Sequence, residues 1–136
     1  MWLFYLKLIF FLYKLNKLIK NSFLKIFLKI RVIKKKEDKL RFIEKLGYSS
    51  INSKPNIIWF HVASLGEIKS IHALIKHYQK NKKINLLITS VTTSSANYFE
   101  RNLKNENTFH QYAPIDSPII IDRFLKFWKP KFSVFV

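Results

Sequence analysis

The sequence predicts an α/β fold, a parallel sheet with helices on both faces, preceded by a basic amphipathic helix. Three observations carry that expectation. From Asn56 onward, short β-branched and aromatic runs alternate with stretches of helical spacing. Those runs are apolar throughout rather than alternately polar, as strands covered on both faces are. Residues 1–36 hold ten basic residues and no acid, whereas 37–136 hold 15 basic and 8 acidic residues, so the composition breaks at Lys34-Lys35-Lys36. The expected organisation is therefore a membrane-associating segment, 1–36, and a Rossmann-like segment, 37–136.

At 136 residues the chain has room for one small domain. Its 49% apolar content excludes disorder throughout, and its lack of cysteine excludes disulfides, thiolate metal sites and a cysteine nucleophile. The net charge of +17 predicts an anionic partner. Of 25 basic residues 21 are Lys and 4 are Arg; specific base readout favours the planar Arg fork, so nucleic acid is not the expected partner. A competing reading of the basicity is genome composition, since Lys, Ile, Asn and Phe are all abundant, as a low-GC genome would produce.

Residues 1–33 contain neither Gly nor Pro, so nothing in them stops a helix. At 100° per residue Lys7, Lys14, Lys17, Lys25 and Lys29 form a narrow stripe, and Trp2, Phe4, Leu8, Leu12, Leu15, Ile19, Phe23 and Ile30 help to cover the remainder. The longest lysine-free stretches are six residues, against the ~18–20 apolar residues of an unaided spanning helix. The expected arrangement is a helix in the headgroup plane with snorkelling lysines, a short spanning anchor being the alternative. In both cases the basic residues at 31–36 favour a cytoplasmic location for residues 37–136.

Within 37–136, Asn56–Val62 reads as a buried strand after Pro55, Ser64–Glu67 as a turn, and Ile68–Gln79 as a helix with apolar residues at 68, 71, 74, 75 and 78. Ile84–Ile88 is a second strand, Thr89–Ser95 a hydroxyl-rich turn, Ala96–Leu103 a short helix and Thr108–Tyr112 a third strand. Asp116 or Ser117 suits an N-cap with Pro118 at the first helical position; that helix runs to 128, and Lys131–Val136 is a fourth strand. The order predicts a doubly wound sheet with ligands beyond the carboxyl ends of its strands. Because the sequence stops inside an apolar strand, it is expected to be the front part of a longer protein.

Glu67 is the sharpest candidate: an acidic residue opening a helix directly after a strand, with Gly66 permitting close approach of a substrate. A carboxylate there suits a general base, the helix dipole lowering its pKa and desolvation raising it. The spacing equally suits a capping box with Ser64, and both readings stay open. His61 reads as a hydrogen-bonded histidine within the fold rather than a ligand. His72 and His77 lack metal-ligand spacing, so no metal site is expected. Thr89, Thr92, Thr93, Ser94 and Ser95 suit capping better than anion binding. No glycine-rich phosphate loop is present, which excludes the common nucleotide fingerprints.

The series Trp59-x-His61-x-x-Ser64-x-Gly66-Glu67, Thr89-x-x-Thr92, Tyr112-x-Pro114-x-Asp116 and Arg123-Phe124-Leu125 with Pro130 resembles the N-terminal domain of the 3-deoxy-D-manno-octulosonic acid (Kdo) transferases. The likeness runs from about residue 41, through Glu44-Lys45-Leu46-Gly47, to residue 136. It implies an incomplete GT-B glycosyltransferase: a partial acceptor-binding domain here and a CMP-Kdo-binding domain absent from this sequence. It also implies lipopolysaccharide biosynthesis at the cytoplasmic face of an inner membrane, by inverting, metal-independent transfer of Kdo to the lipid A precursor, lipid IVA. Glu67 falls on the family's catalytic base. Ser64 and Gly66 fall in the acceptor pocket, and Thr89 and Thr92 on the cleft lining. No cofactor is implied beyond the donor, and this chain alone is expected to be inactive. The sequence departs from the family at Thr93-Ser94-Ser95, where Pro and Gly are usual. A competing expectation is a basic membrane-surface or nucleic-acid-binding module without catalysis.

Overall fold

The computed structural model of the chain describes residues 22–34 and 38–136 and divides it into two units, Met1–Lys39 and Leu40–Val136. In the first, residues 22–33 are helical, and Phe23, Ile26, Phe27, Ile30 and Ile33 are exposed along one face at i, i+3, i+4, i+7 and i+10. Among the described residues no helix is long and apolar enough to cross a membrane. The expected lysine stripe at Lys7, Lys14 and Lys17 lies outside the described residues.

In the second unit, four strands form a parallel sheet: β1 (Ile57–Val62), β2 (Asn85–Ser90), β3 (Thr108–Tyr112) and β4 (Phe132–Phe135), in the order β3-β2-β1-β4. Four helices connect them: α1 (Leu65–Ser70), α2 (His72–Tyr78), α3 (Thr93–Asn102) and α4 (Pro118–Trp128). A 3₁₀ turn, Phe42–Leu46, precedes β1. Successive strand residues face opposite ways. Phe60, Val62, Leu86 and Ile88 therefore pack on Ile68, Ile75 and Phe99 from α1–α3. Ile57, Trp59 and Leu87 pack on Phe124 and Trp128 of α4. This two-sided cover explains why β1 is apolar at every position but His61 and β2 at Leu86–Ile88. It does not extend to β4, whose four residues are all exposed.

Three boundaries differ from the sequence expectation. The single helix expected over 68–79 starts at Leu65, because Ser64 caps it there, and breaks at Ile71 (φ −92°, ψ 6°). The expected turn over 89–95 is shorter, since β2 continues through Thr89 and Ser90. The helix expected from Ala96 starts at Thr93, because Thr92 accepts a hydrogen bond from the Ser95 N–H. Ser117 and Pro118 occupy the expected N-cap and first helical position of α4, although the Ser117 side chain makes no capping bond.

The sheet order sets the site. The chain moves outward from β1 through β2 to β3, then returns to the other side of β1 to form β4. The β1–β4 boundary is thus a topological switch point, where connections depart to opposite faces and leave a crevice at the carboxyl ends.

Candidate active site

Glu67 lies at the carboxyl end of that boundary, in the first turn after β1. Ser64 has extended dihedrals (φ −132°, ψ 165°), and its Oγ accepts from the Glu67 N–H at 3.2 Å. The Ser64 hydroxyl in turn donates to Glu67 Oε1 at 3.1 Å, and the Ala63 N–H donates to Oε2 at 2.5 Å. The capping box is therefore formed, yet the carboxylate stays partly exposed. The Ala63 N–H lowers its pKa most; Ser64 and His61 lower it further, against the upward push of burial. The group is thus an ionised carboxylate at neutral pH, held by donors and open on one side.

Gly66 is not demanded by the chain's own packing. Its φ lies outside the left-handed region, and an added Cβ would meet only Ser64 Oγ at 3.8 Å. Its smallness keeps the surface beside Glu67 open.

Thr89, expected on the cleft lining, lies inside the sheet. It is a strand residue, fully buried, opposite His61 in the β1–β2 register. Its Oγ1 lies 2.8 Å from Trp59 Nε1 and 3.0 Å from His61 Nδ1. The His61 ring also packs on Phe135 of β4 at 5.6 Å. Thr92 is partly exposed and serves as the α3 cap, its hydroxyl also 3.0 Å from Ser94 Oγ and 2.7 Å from Ser95 Oγ. His72 meets Tyr98 Oη at 2.8 Å. Among the described residues no three His, Cys, Asp or Glu side chains gather as a metal site.

A groove of about 310 Å³ runs between α1 and α3, lined by Leu65, Lys69, Ser94, Tyr98 and Arg101 among others. Leu65 and Ser94 lie in the first turns of helices that follow β1 and β2, so its upper end lies at the sheet's carboxyl edge. No carboxylate lines it.

Sequence reasoning missed the polar network that braces this edge. The Arg41 guanidinium binds both oxygens of buried Glu44, at 2.9 and 3.0 Å, and its Nη2 lies 2.8 Å from His110 Nδ1. Glu44 also accepts from Ser50 Oγ at 2.6 Å and from the Tyr112 N–H at 2.8 Å. His110 Nε2 meets Ser90 Oγ at 2.8 Å, and Lys45 Nζ donates to the Val91 carbonyl at 3.3 Å. The i,i+3 spacing of Arg41 and Glu44 was a usable signal; their partners near 110 were not. Gly47 lets this segment close on α4: its φ is +79°, and a Cβ would stand 2.5 Å from the Ile120 carbonyl oxygen.

The four-stranded parallel sheet with helices on both faces defines an α/β domain of the Rossmann-like class. Residues 40–136 match the family model described as 3-deoxy-D-manno-octulosonic-acid transferase (kdotransferase), and the chain belongs to that family. A probable mitochondrial 3-deoxy-D-manno-octulosonic acid transferase of Arabidopsis thaliana is 38% identical over 91 residues, covering 66% of this chain and 20% of the relative. The Rickettsia prowazekii transferase is 35% identical over 82 residues (60% and 18%), and that of Haemophilus influenzae 26% over 111 residues (79% and 26%). The matched segment thus spans between about a fifth and a quarter of these relatives. No solved structure matches the chain significantly.

Proposed function

We propose that this chain is the acceptor-binding front portion of a GT-B Kdo transferase, and that Glu67 is the base of the transfer reaction. The single observation that carries this reading is the position of Glu67: a partly exposed, ionised carboxylate one turn beyond β1, at the switch point. In the reaction proposed, a hydroxyl of the lipid A precursor gives its proton to Glu67 while its oxygen bonds to the anomeric carbon of Kdo. Cytidine monophosphate leaves with the electron pair of the broken bond, and the configuration inverts. A base is needed because a sugar hydroxyl is a poor nucleophile until its proton is departing. The hydrogen bonds from Ala63 and Ser64 weaken the resting carboxylate as a base, so the arriving hydroxyl works best when it displaces the Ser64 contact.

Several features support the acceptor assignment. Gly66 leaves room beside the carboxylate, Ser64 and Thr92 present hydroxyls at the same edge, and Lys69 and Arg101 supply positive charge for a phosphorylated glycolipid. CMP-Kdo binding is assigned to the part of the family's length that this sequence does not span, so the chain by itself should not turn over. The exposed apolar face over 23–33, joined to the lysines of 1–36, supports attachment to an anionic bilayer. Inner-membrane attachment with the sheet unit on the cytoplasmic side accords with that basic flank.

The test is Kdo transfer from CMP-Kdo to lipid IVA by a protein that carries this sequence with the family's remaining length. Turnover is expected, and its loss in Glu67→Ala with unchanged folding supports the base; retained turnover in that variant removes the assignment.

A further inference from the structure

We propose that Trp59, Thr89 and His61 form a hydrogen-bond relay that fixes His61 as the neutral Nε2–H tautomer, a substrate-orienting donor beside Glu67. Proton counts decide the direction of each bond. An indole N–H only donates, so the 2.8 Å contact from Trp59 Nε1 occupies a lone pair of Thr89 Oγ1. Thr89 is fully buried, and its own hydroxyl proton needs an acceptor. Among the described residues the acceptor it meets is His61 Nδ1, at 3.0 Å. If His61 instead carried its proton on Nδ1, both Trp59 and His61 would donate to Thr89, and the buried hydroxyl proton would be stranded. The arrangement that satisfies every group has Trp59 donating to Thr89, Thr89 donating to His61 Nδ1, and the imidazole proton on Nε2.

The surroundings keep the ring in place and neutral. Trp59 and His61 are two residues apart on β1 and so share a face, with Thr89 across the β2 register and Phe135 across the β4 register. Trp59 is itself held by Phe124 and Phe135, at ring centroid distances of 4.9 and 5.2 Å. Burial holds the imidazole below its usual pKa, outweighing the opposite pull of Glu67. Nε2 makes no hydrogen bond among the described residues, which leaves its N–H available to a substrate oxygen at the end of β1. Neutrality matters there: an imidazolium so close would depress the basicity of Glu67 further, whereas a neutral N–H orients a sugar oxygen without that effect. The role given to the donor rests on the Glu67 reading; the tautomer does not. Thr89 and Trp59 are positioning residues in this scheme.

The test is a long-range ¹H–¹⁵N correlation spectrum of the full chain, labelled at histidine and held in neutral detergent micelles at neutral pH. His61 is assigned from the signals lost in His61→Gln. The expected pattern is a protonated Nε2 and an unprotonated Nδ1. Thr89→Val, which keeps the side-chain shape but lacks the hydroxyl, should shift the population toward the Nδ1–H form, and Thr89→Ser should restore it. A wild-type ring found as the Nδ1–H form or as imidazolium overturns the relay, as does a Thr89→Val spectrum unchanged from wild type. The wild-type spectrum decides even where Thr89→Val fails to fold. Glu67→Gln should leave the tautomer in place, so failure of the relay and failure of the base assignment are read separately.

Discussion

Arg41 and Glu44 form a two-pronged ion pair whose carboxylate is completely buried and whose guanidinium also touches the ring and the carbonyl of His110, both at 2.8 Å. One short segment ahead of the sheet is thereby fastened to β3, the edge strand separated from β1 by β2. Removing one partner strands the other, and breaking a buried pair costs about 3–5 kcal/mol. Arg41→Ala or Glu44→Ala should lower the unfolding free energy by that order in denaturant titration. A loss under ~1 kcal/mol, the scale of a surface ion pair, contradicts the bracing role.

His110 makes the same network sensitive to acid. Burial first, and the Arg41 charge second, push its pKa from 6.5 down to about 3. Between those values the unfolded chain binds a proton that the folded chain refuses, so stability is full above about pH 6.5 and falls as pH drops toward 3. The local slope approaches about 1.4 kcal/mol per pH unit from this group. Unfolding followed at pH 7, 6, 5 and 4 checks the direction, and His110→Asn should flatten the profile. An unchanged slope in that variant assigns the acid sensitivity elsewhere.

Gly47→Ala should destabilise by roughly 1–3 kcal/mol, since a side chain is forced both into a left-handed backbone and against a carbonyl oxygen. Thermal melting reads this directly. Gly66→Ala, with a helical backbone and a nearest contact of 3.8 Å, should melt close to wild type while impairing acceptor use.

Flotation of the full chain with vesicles tests the first 36 residues. Recovery should rise with anionic lipid and fall with salt, since each lysine near such a surface contributes about 1 kcal/mol. Replacing Lys7, Lys14, Lys17, Lys25 and Lys29 by Gln should abolish the lipid selectivity. Equal recovery on neutral and anionic vesicles, with salt-sensitive binding to duplex nucleic acid instead, favours a binding module without catalysis.

The strands and the site's lip were legible in the sequence because they depend on local pattern. Ile57–Val62 is apolar at every position but His61, so β1 could be placed; Ser64-x-x-Glu67 is a short-range capping signal, but with Ser64–Glu67 read as a turn the helix is expected at Ile68, three residues late. The extent of β2 was less visible: Thr89 and Ser90 look like turn residues, and only burial against Trp59, His61 and His110 makes them strand. The break at Ile71 leaves no trace in the 68, 71, 75, 78 spacing, which one continuous helix would satisfy equally. The brace linking Arg41, Glu44, His110 and Ser90 joins residues up to 69 positions apart and was out of reach of any local reading.

The most direct measurement is the rate of Kdo transfer to lipid IVA by Glu67→Gln in a protein carrying this sequence with the family's remaining length, alongside acceptor binding. Gln keeps one oxygen, for the Ala63 N–H, and turns an NH₂ toward Ser64 Oγ, which can accept from it, but takes no proton. If Glu67 is the base, turnover drops by about 10²–10⁴-fold while acceptor binding is preserved. Wild-type turnover in that variant contradicts the assignment.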